Sequence, residues 1–270
     1  MTIEPRIKRR RQEVAERQAR ARIRRSIWML VIFAFGGGVA WFLVSPVMSV
    51  EEVVITGADS VPVEDILRRS RVVEGRPLVT IRASAVETDL MADPRIAAAS
   101  VKLVFPTRVE VVVRERVDTA WVDLGDKWGV LADDGVVLAY ASTPITRLPQ
   151  IRVVIDDPGL GARIEAAEVT GALDFIAALP DHLAERSLFE ASDGELWIWV
   201  GNRIARLGLP SNMAAKATSL LTIIESAPPG LIDVTAPSRP AVRPWKSVSR
   251  TLPDLEYLKS QLEAEIYLEP

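Results

Sequence analysis

Residues 101–116 read VKLVFPTRVEVVVRER, and the period of this stretch decides the fold. Val101, Leu103 and Phe105 fall on every second position up to Pro106-Thr107, and Val109, Val111 and Val113 fall on every second position after it. Strand side chains point alternately to the two faces, so this is the pattern of a β-hairpin with one buried face. Glu115 and Arg116, at its end, are expected to stand solvated. A free edge of such a sheet offers a route for binding a partner strand.

Working outward toward the N-terminus, residues 50–56 alternate as a strand with Val53 and Ile55 on one face, and Gly57 ends it. Ser60 and Pro62 open a helix in which Glu64 and Asp65 sit in the first turn, Val63, Ile66 and Leu67 recur at helical spacing, and Arg68 and Arg69 lie toward the other end. Ser84 and Glu87 have the spacing of a capping box for a second helix, with Val86 and Leu90 as its apolar stripe and Asp93-Pro94 as its stop. The predicted order is β-α-α-β-β.

Further upstream, residues 27–44 (IWMLVIFAFGGGVAWFLV) carry no charge. As a helix they span roughly 27 Å at about 1.5 Å per residue, close to the hydrocarbon thickness of a bilayer. Trp28 and Trp41 lie near the two ends, where amphipathic rings prefer the headgroup level. Gly36, Gly37 and Gly38, with Ala40, offer a surface for close helix approach. Residues 1–26 hold ten Lys/Arg against three acids, whereas the whole chain has a formal charge of −3, so a basic arm precedes an acidic body. That asymmetry predicts an arm left in the cytoplasm, disordered apart from orienting the helix, and a body carried to the other side of the membrane. A cleaved signal peptide is the competing reading; the residues after the span show no small-x-small cleavage site. A buried core helix of a soluble protein is disfavoured by the flanking arginines.

There is no cysteine and a single histidine, His182. Disulfides, thiolate nucleophiles and cysteine metal sites are thereby excluded. His182, beside Asp181 after Pro180, is expected in a surface turn. Asp133 and Asp134 invite a catalytic-carboxylate reading, but Asp134-Gly135 is a strong hairpin turn and accounts for them.

Downstream, Trp121-Val122 and residues 128–140 predict strands around that turn, and residues 151–155 start another. Residues 165–179 form a helix burying Val169, Leu173 and Ile176, ended by Pro180. Residues 195–200 and 203–207 pair through Gly201-Asn202, with Trp197 and Trp199 sharing a face. Ser211 opens a helix through Lys216, Leu220, Leu221 and Ile224, ended by Pro228-Pro229-Gly230, and residues 231–235 follow as a strand.

Two stretches, VEEVVITGADSVPVEDIL (residues 50–67) and ADPRIAAASVKLVFPTRVEVVVRERVDTAW (residues 92–121), resemble a POTRA domain placed directly after a membrane anchor. In the FtsQ/DivIB family that unit ends in P-x-x-x-x-V-x-V-x-E-R, matched here by Pro106, Val111, Val113, Glu115 and Arg116. Where the family usually has a proline soon after, this chain has Asp118. The later series (Arg206-Leu207-Gly208, a helix with Lys216, then Ile232-Asp233-Val234) resembles the C-terminal half of the same family, in family order.

The resemblance implies an α+β chain: a basic arm (1–26), one transmembrane helix (27–44), a β-α-α-β-β POTRA domain (46–116), a mostly antiparallel FtsQ-type β domain with flanking helices (117–246) and a tail (247–270). It implies a non-catalytic scaffold of the division machinery, anchored in the cytoplasmic membrane at the septum, with partners of the FtsB/DivIC and FtsL types and, indirectly, the septal peptidoglycan synthases. No cofactor, metal or nucleic acid is implied. The alternative from another class is a membrane-anchored enzyme acting on cell-wall or peptide substrates; the sequence has no serine elbow, P-loop or dinucleotide glycine motif to support it.

Pro237, Pro240 and Pro244 confine any strand in 234–245 to a sheet edge, because proline lacks a ladder donor. In the family the last strand accepts a strand from the partner, which implies Val234, Thr235, Ala241, Val242 and Trp245 as docking residues. Residues 253–268 carry Leu255, Leu258, Leu262 and Ile266 on one helical stripe. A lone helix of that length is marginal in water, so it packs on the body, binds a partner or stays partly disordered.

Overall fold

The structure is a computed structural model and describes residues 5–200, 203–228 and 230–243, with side chains from Arg24 onward. Helix α1 runs from Pro5 to Leu43. The basic arm expected to be disordered is therefore helical from Pro5. Its sequence is mostly Arg, Gln, Glu and Ala, which lose little on entering a helix. Joined to an apolar helix, it also escapes the cost of nucleation. Arg24–Leu43 is long and apolar enough to cross a bilayer, and none of it is buried inside the structure.

The chain divides into two compact units, residues 1–90 with 99–113, and residues 91–98 with 114–270. A three-stranded sheet is formed by β1 (Glu52–Thr56), β2 (Ile96–Val104) and β3 (Arg108–Glu115) in the order β1-β3-β2. Strands β1 and β3 are parallel, with Val53 opposite Val109 and Ile55 opposite Val111. Helices α2 (Val63–Ser70) and α3 (Ala83–Met91) lie between β1 and β2 in the chain, giving the predicted β-α-α-β-β order. Val109, Val111 and Val113 are buried, as are Ile66, Leu78, Val86 and Leu90.

Three local expectations are corrected. Val63 is exposed and Val61 is buried in its place, because Pro62 is the N-cap and turns the first helical side chain outward. Phe105 is exposed, since β2 ends at Val104 and the phenylalanine falls in the turn. The Ser84/Glu87 capping box does not form: α3 begins at Ala83, and Glu87 Oε1 accepts the Val101 N–H at 2.8 Å.

The second unit contains one nine-stranded sheet, in the order β12-β11-β10-β9-β8-β7-β4-β5-β6. Its strands are β4 (Asp118–Asp123), β5 (Trp128–Ala132), β6 (Val137–Ala141), β7 (Gln150–Arg152), β8 (Ser187–Ser192), β9 (Glu195–Val200), β10 (Arg203–Gly208), β11 (Leu231–Asp233) and β12 (Ala241–Arg243). The pairs β4–β7, β7–β8 and β10–β11 are parallel. The remaining pairs are antiparallel. The fold class is α+β.

Helices α4 (Ala167–Ile176) and α6 (Met213–Ile223) cover one face of this sheet. Val169, Leu173 and Phe175 of α4 and Met213, Ala217 and Leu220 of α6 pack there with Ile151, Phe189, Ile198, Leu207 and Ile232. Phe175 meets Phe189 edge-on at 5.8 Å between ring centroids, a favoured quadrupolar geometry. A smaller cluster of Trp121, Val130, Ala132, Val136 and Leu138 lies on the opposite face toward β5 and β6.

Candidate docking edge

Strand β12 closes one end of the nine-stranded sheet and, among the described residues, pairs on one side only. Leu231 lies opposite Arg243, Ile232 opposite Val242 and Asp233 opposite Ala241. The prolines on either side set its length: Pro240 precedes it and Pro244 follows, and neither has an N–H to extend a ladder. A strand with a vacant hydrogen-bonding side is the geometry used by β-augmentation, in which main-chain bonds hold the incoming segment and alternate side chains select it.

A charged row braces this edge. Asp233 is paired in register with Arg206, Arg206 with Trp197, and Trp197 with Glu190. Arg206 grips Glu195 through two bonds, Nε to Oε2 at 2.9 Å and Nη2 to Oε1 at 2.8 Å. The bidentate form is the stronger, more directional arrangement for guanidinium and carboxylate. Asp233 is almost fully buried. Its Oδ1 accepts the Thr235 N–H at 3.1 Å and the Thr235 hydroxyl at 2.7 Å, and its Oδ2 lies 3.8 Å from Arg206 and 3.7 Å from Arg243. One carboxylate thus links β10, β11 and β12.

Gly208 brings the chain close behind this point. Its φ is +69°, and a Cβ there would come within 2.8 Å of Thr235 Cγ2. Lys216 of α6 is buried and donates to the Leu209 carbonyl at 2.7 Å, fastening the turn after β10. Burial pushes the Lys216 ammonium below its ordinary range, against a smaller opposing pull from Glu195.

The other residues singled out by sequence have structural settings. Asp134 is held in its turn by its Oδ1, which accepts the Val136 N–H at 3.3 Å, and it pairs with Arg116 at 3.0 Å and Arg163 at 3.4 Å. Burial pushes its carboxyl up, but Arg116 and the other donors outweigh that and hold it below the ordinary range. Arg116, expected in solvent, is instead largely covered and also donates to the carbonyls of Pro94 and Ile96, all within the second unit. His182 is exposed in the short helix α5 (Asp181–Ala184). On the far side of the sheet Asp157 accepts from Tyr140 at 2.7 Å and pairs with Lys127 at 2.7 Å.

Residues 48–116 match the family model described as "POTRA domain, FtsQ-type". Curated relatives bear the name cell division protein FtsQ. The one from Mycobacterium leprae is 29% identical over 225 residues, covering 80% of this chain and 61% of that protein. That from Mycolicibacterium smegmatis is 27% identical over 202 residues, 74% of this chain and 58% of that protein. That from Corynebacterium glutamicum is 23% identical over 210 residues, 73% of this chain and 87% of that protein. Residues 48–116 are thus similar to an FtsQ-type POTRA domain, and most of the chain is similar to FtsQ cell-division proteins. The chain spans about three fifths of the length of the first two relatives. Among the described residues, one N-terminal helix is of membrane-crossing length, which fits a single-pass membrane protein.

The residues implied for docking fall in different settings. Val242 is half-buried and Ala241 exposed on β12; Thr235 is exposed just beyond β11. Val234 is wholly buried among the core residues, so its side chain faces inward. Trp245 and the amphipathic tail, 247–270, lie outside the described residues, as do Gly201 and Asn202, whose neighbours Val200 and Arg203 are paired.

Strand β8 was not evident in the sequence, because Leu188 and Phe189 are followed by Glu190 and give too short an apolar signal. The turn after it was the available clue: Asp193 (φ 53°) and Gly194 (φ 74°) form an Asp-Gly turn with both residues left-handed.

Proposed function

We propose that this chain is a non-catalytic member of the cell-division apparatus, anchored by α1 with its basic arm in the cytoplasm and its folded units on the other side of the membrane, at the division septum. It works there by contact. Strand β12 accepts a strand from another single-pass division protein of the FtsB/DivIC type, and an FtsL-type protein joins the assembly, through which the septal peptidoglycan synthases are organised.

The observation that carries the reading is the edge position of β12 in a chain related to FtsQ cell-division proteins. The arginine-rich stretch before the apolar helix supports the orientation, since Lys/Arg flanks are retained in the cytoplasm. Asp133-Asp134, the pair with the most enzyme-like sequence, serves as a turn and an ion-pair anchor.

Imaging a fluorescent fusion of the full chain in dividing cells tests the role. A band at mid-cell that needs the folded units supports it, whereas even labelling of the envelope through the cycle contradicts it.

A further inference from the structure

The chain leaves the apolar helix α1 without slack. The Val44 N–H still donates to the Ala40 carbonyl at 3.2 Å and the Ser45 N–H to Phe42 at 3.1 Å, and a short 3-10 turn, Pro46–Met48, follows at once. Ser49 is buried, and its hydroxyl donates back to the Ser45 carbonyl at 3.2 Å. Val50 is then pinned to residues 75–76: its N–H donates to the Arg76 carbonyl at 2.9 Å, and its carbonyl accepts the Gly75 N–H at 2.8 Å. Ser49 and Pro77 form an antiparallel bridge. Antiparallel segments run in opposite directions, so the chain after Pro77 heads the way the chain before Ser49 came, toward α1. The turn keeps this link shorter than the about 20 Å that six extended residues would span.

Two kinds of group collect beside the anchor. Val44, Val47 and Val79 are apolar and exposed. Arg71, Arg76 and Arg82 line one cavity of about 370 Å³ with Ser70, Thr80 and Asp89. All three arginines are exposed. The Arg76 guanidinium is folded back, Nε donating to the Thr80 hydroxyl at 3.2 Å and Nη1 to the Arg71 carbonyl at 3.1 Å. Neutral acceptors thus fix its position and leave its charge uncompensated. Among the described residues none of the three arginines forms an ion pair with a carboxylate. Glu51 and Glu74 line a different cleft, with Val44 and Pro46, and Asp89 is the one acid on the wall of this cavity.

We infer that this end of the three-stranded unit rests on the bilayer that α1 crosses, with Val47 and Val79 in the interface and the cavity of Arg71, Arg76 and Arg82 holding the phosphate of an anionic lipid headgroup. Guanidinium forks bind phosphate oxygens in pairs, which suits arginine better than lysine to this task. Anionic lipid attracts basic side chains close to the surface, and the attraction fades within a Debye length. Only groups held beside the anchor gain from it, as these are. The unit then stands on the membrane at two places, the helix and the lipid phosphate, which limits how far it can swing on its tether. The inference rests on the reading of α1 as a membrane anchor given above and goes beyond it.

Because the chain has no cysteine, one introduced thiol reports one place. The full chain is set in bilayer discs of phosphatidylcholine alone, or of phosphatidylcholine and phosphatidylglycerol in equal parts, with nitroxide-bearing lipid in both. A fluorophore on Val79→Cys should be quenched several-fold more in the anionic discs. Arg71→Gln with Arg82→Gln, which leaves the Arg76 bonds in place, should remove that difference. Equal quenching in both discs, or a difference that survives the double variant, overturns the inference. A fluorophore on Phe35→Cys reads the anchor separately and should be quenched in both discs. No quenching there overturns the anchor reading together with this inference, whereas quenching there with no gain at position 79 overturns this inference alone. Amide exchange over residues 71–82 separates lipid from free anion: it should slow several-fold in anionic discs and stay unchanged when inorganic phosphate is added to neutral ones. Equal slowing by inorganic phosphate overturns the assignment to lipid.

Discussion

Asp233 and Arg206 face one another across the parallel pair β10–β11, their charged atoms 3.8 Å apart, and the same carboxylate reaches Arg243 of β12 at 3.7 Å. The edge strand is therefore tied to the sheet by side chains as well as by its short ladder. Replacing Asp233 with Ala removes the acceptor of the Thr235 N–H and hydroxyl and takes one charge partner from Arg206, which keeps Glu195, and from Arg243. A loss of about 1–3 kcal/mol is expected, the usual range for hydrogen bonds to a charged group. Urea denaturation should show it, and amide exchange should rise first in β12.

Gly208→Ala tests the close approach behind the edge. The left-handed backbone costs an L-residue roughly 1–2 kcal/mol, and the new methyl group would press on Thr235 Cγ2 at 2.8 Å. The variant should melt at a lower temperature. An unchanged melting temperature would show that the turn relaxes without strain.

Asp157 makes one region acid-sensitive. The hydrogen bond from Lys127, then those from the Tyr140 hydroxyl and the Gly159 N–H, lower its carboxyl from 3.8 to about 2. A depressed carboxyl contributes stability that is complete above the unfolded value and is lost as pH falls through the folded one. Protection of the Gly159 amide, taken against the intrinsic exchange rate at the same pH, should therefore fall between about pH 4 and pH 2. In Asp157→Asn this acid-dependent part should vanish.

Lys216 gives the opposite end of the pH scale. Burial lowers its ammonium below the ordinary 10.5, so the unfolded chain holds this proton at a pH where the folded chain has released it. Stability should then rise with pH, as it does wherever the unfolded state binds more protons. Relative to Lys216→Met, the native chain should gain stability from neutral pH up to about 10.5, measured as the difference in urea midpoint across that range.

The three-stranded unit was largely legible in the sequence because its signals are local. Val109, Val111 and Val113 alternate cleanly, and all three are buried. The nine-stranded sheet was legible only in parts. Its hairpins announce themselves through Asp134-Gly135, but the parallel pairings β4–β7, β7–β8 and β10–β11 join distant segments and leave no local trace. The same limit hid the brace at the docking edge: Glu195, Arg206, Asp233 and Arg243 are ordinary surface-type residues until register brings them together. Arg116 was misjudged for a related reason, since its acceptors at Pro94, Ile96 and Asp134 come from separate stretches of chain. Position at an edge was readable from the prolines, whereas the inward direction of Val234 was not.

The central claim is that the open side of β12 receives a strand from another division protein. A photo-crosslinking residue placed at Ala241 or Val242 of the full chain in dividing cells tests it most directly, with Ala139 of β6, at the opposite end of the sheet, as the control. The account predicts a discrete adduct with a small single-pass division protein from the β12 positions and none from position 139. No adduct at 241 and 242, or the same adduct from all three positions, would contradict it.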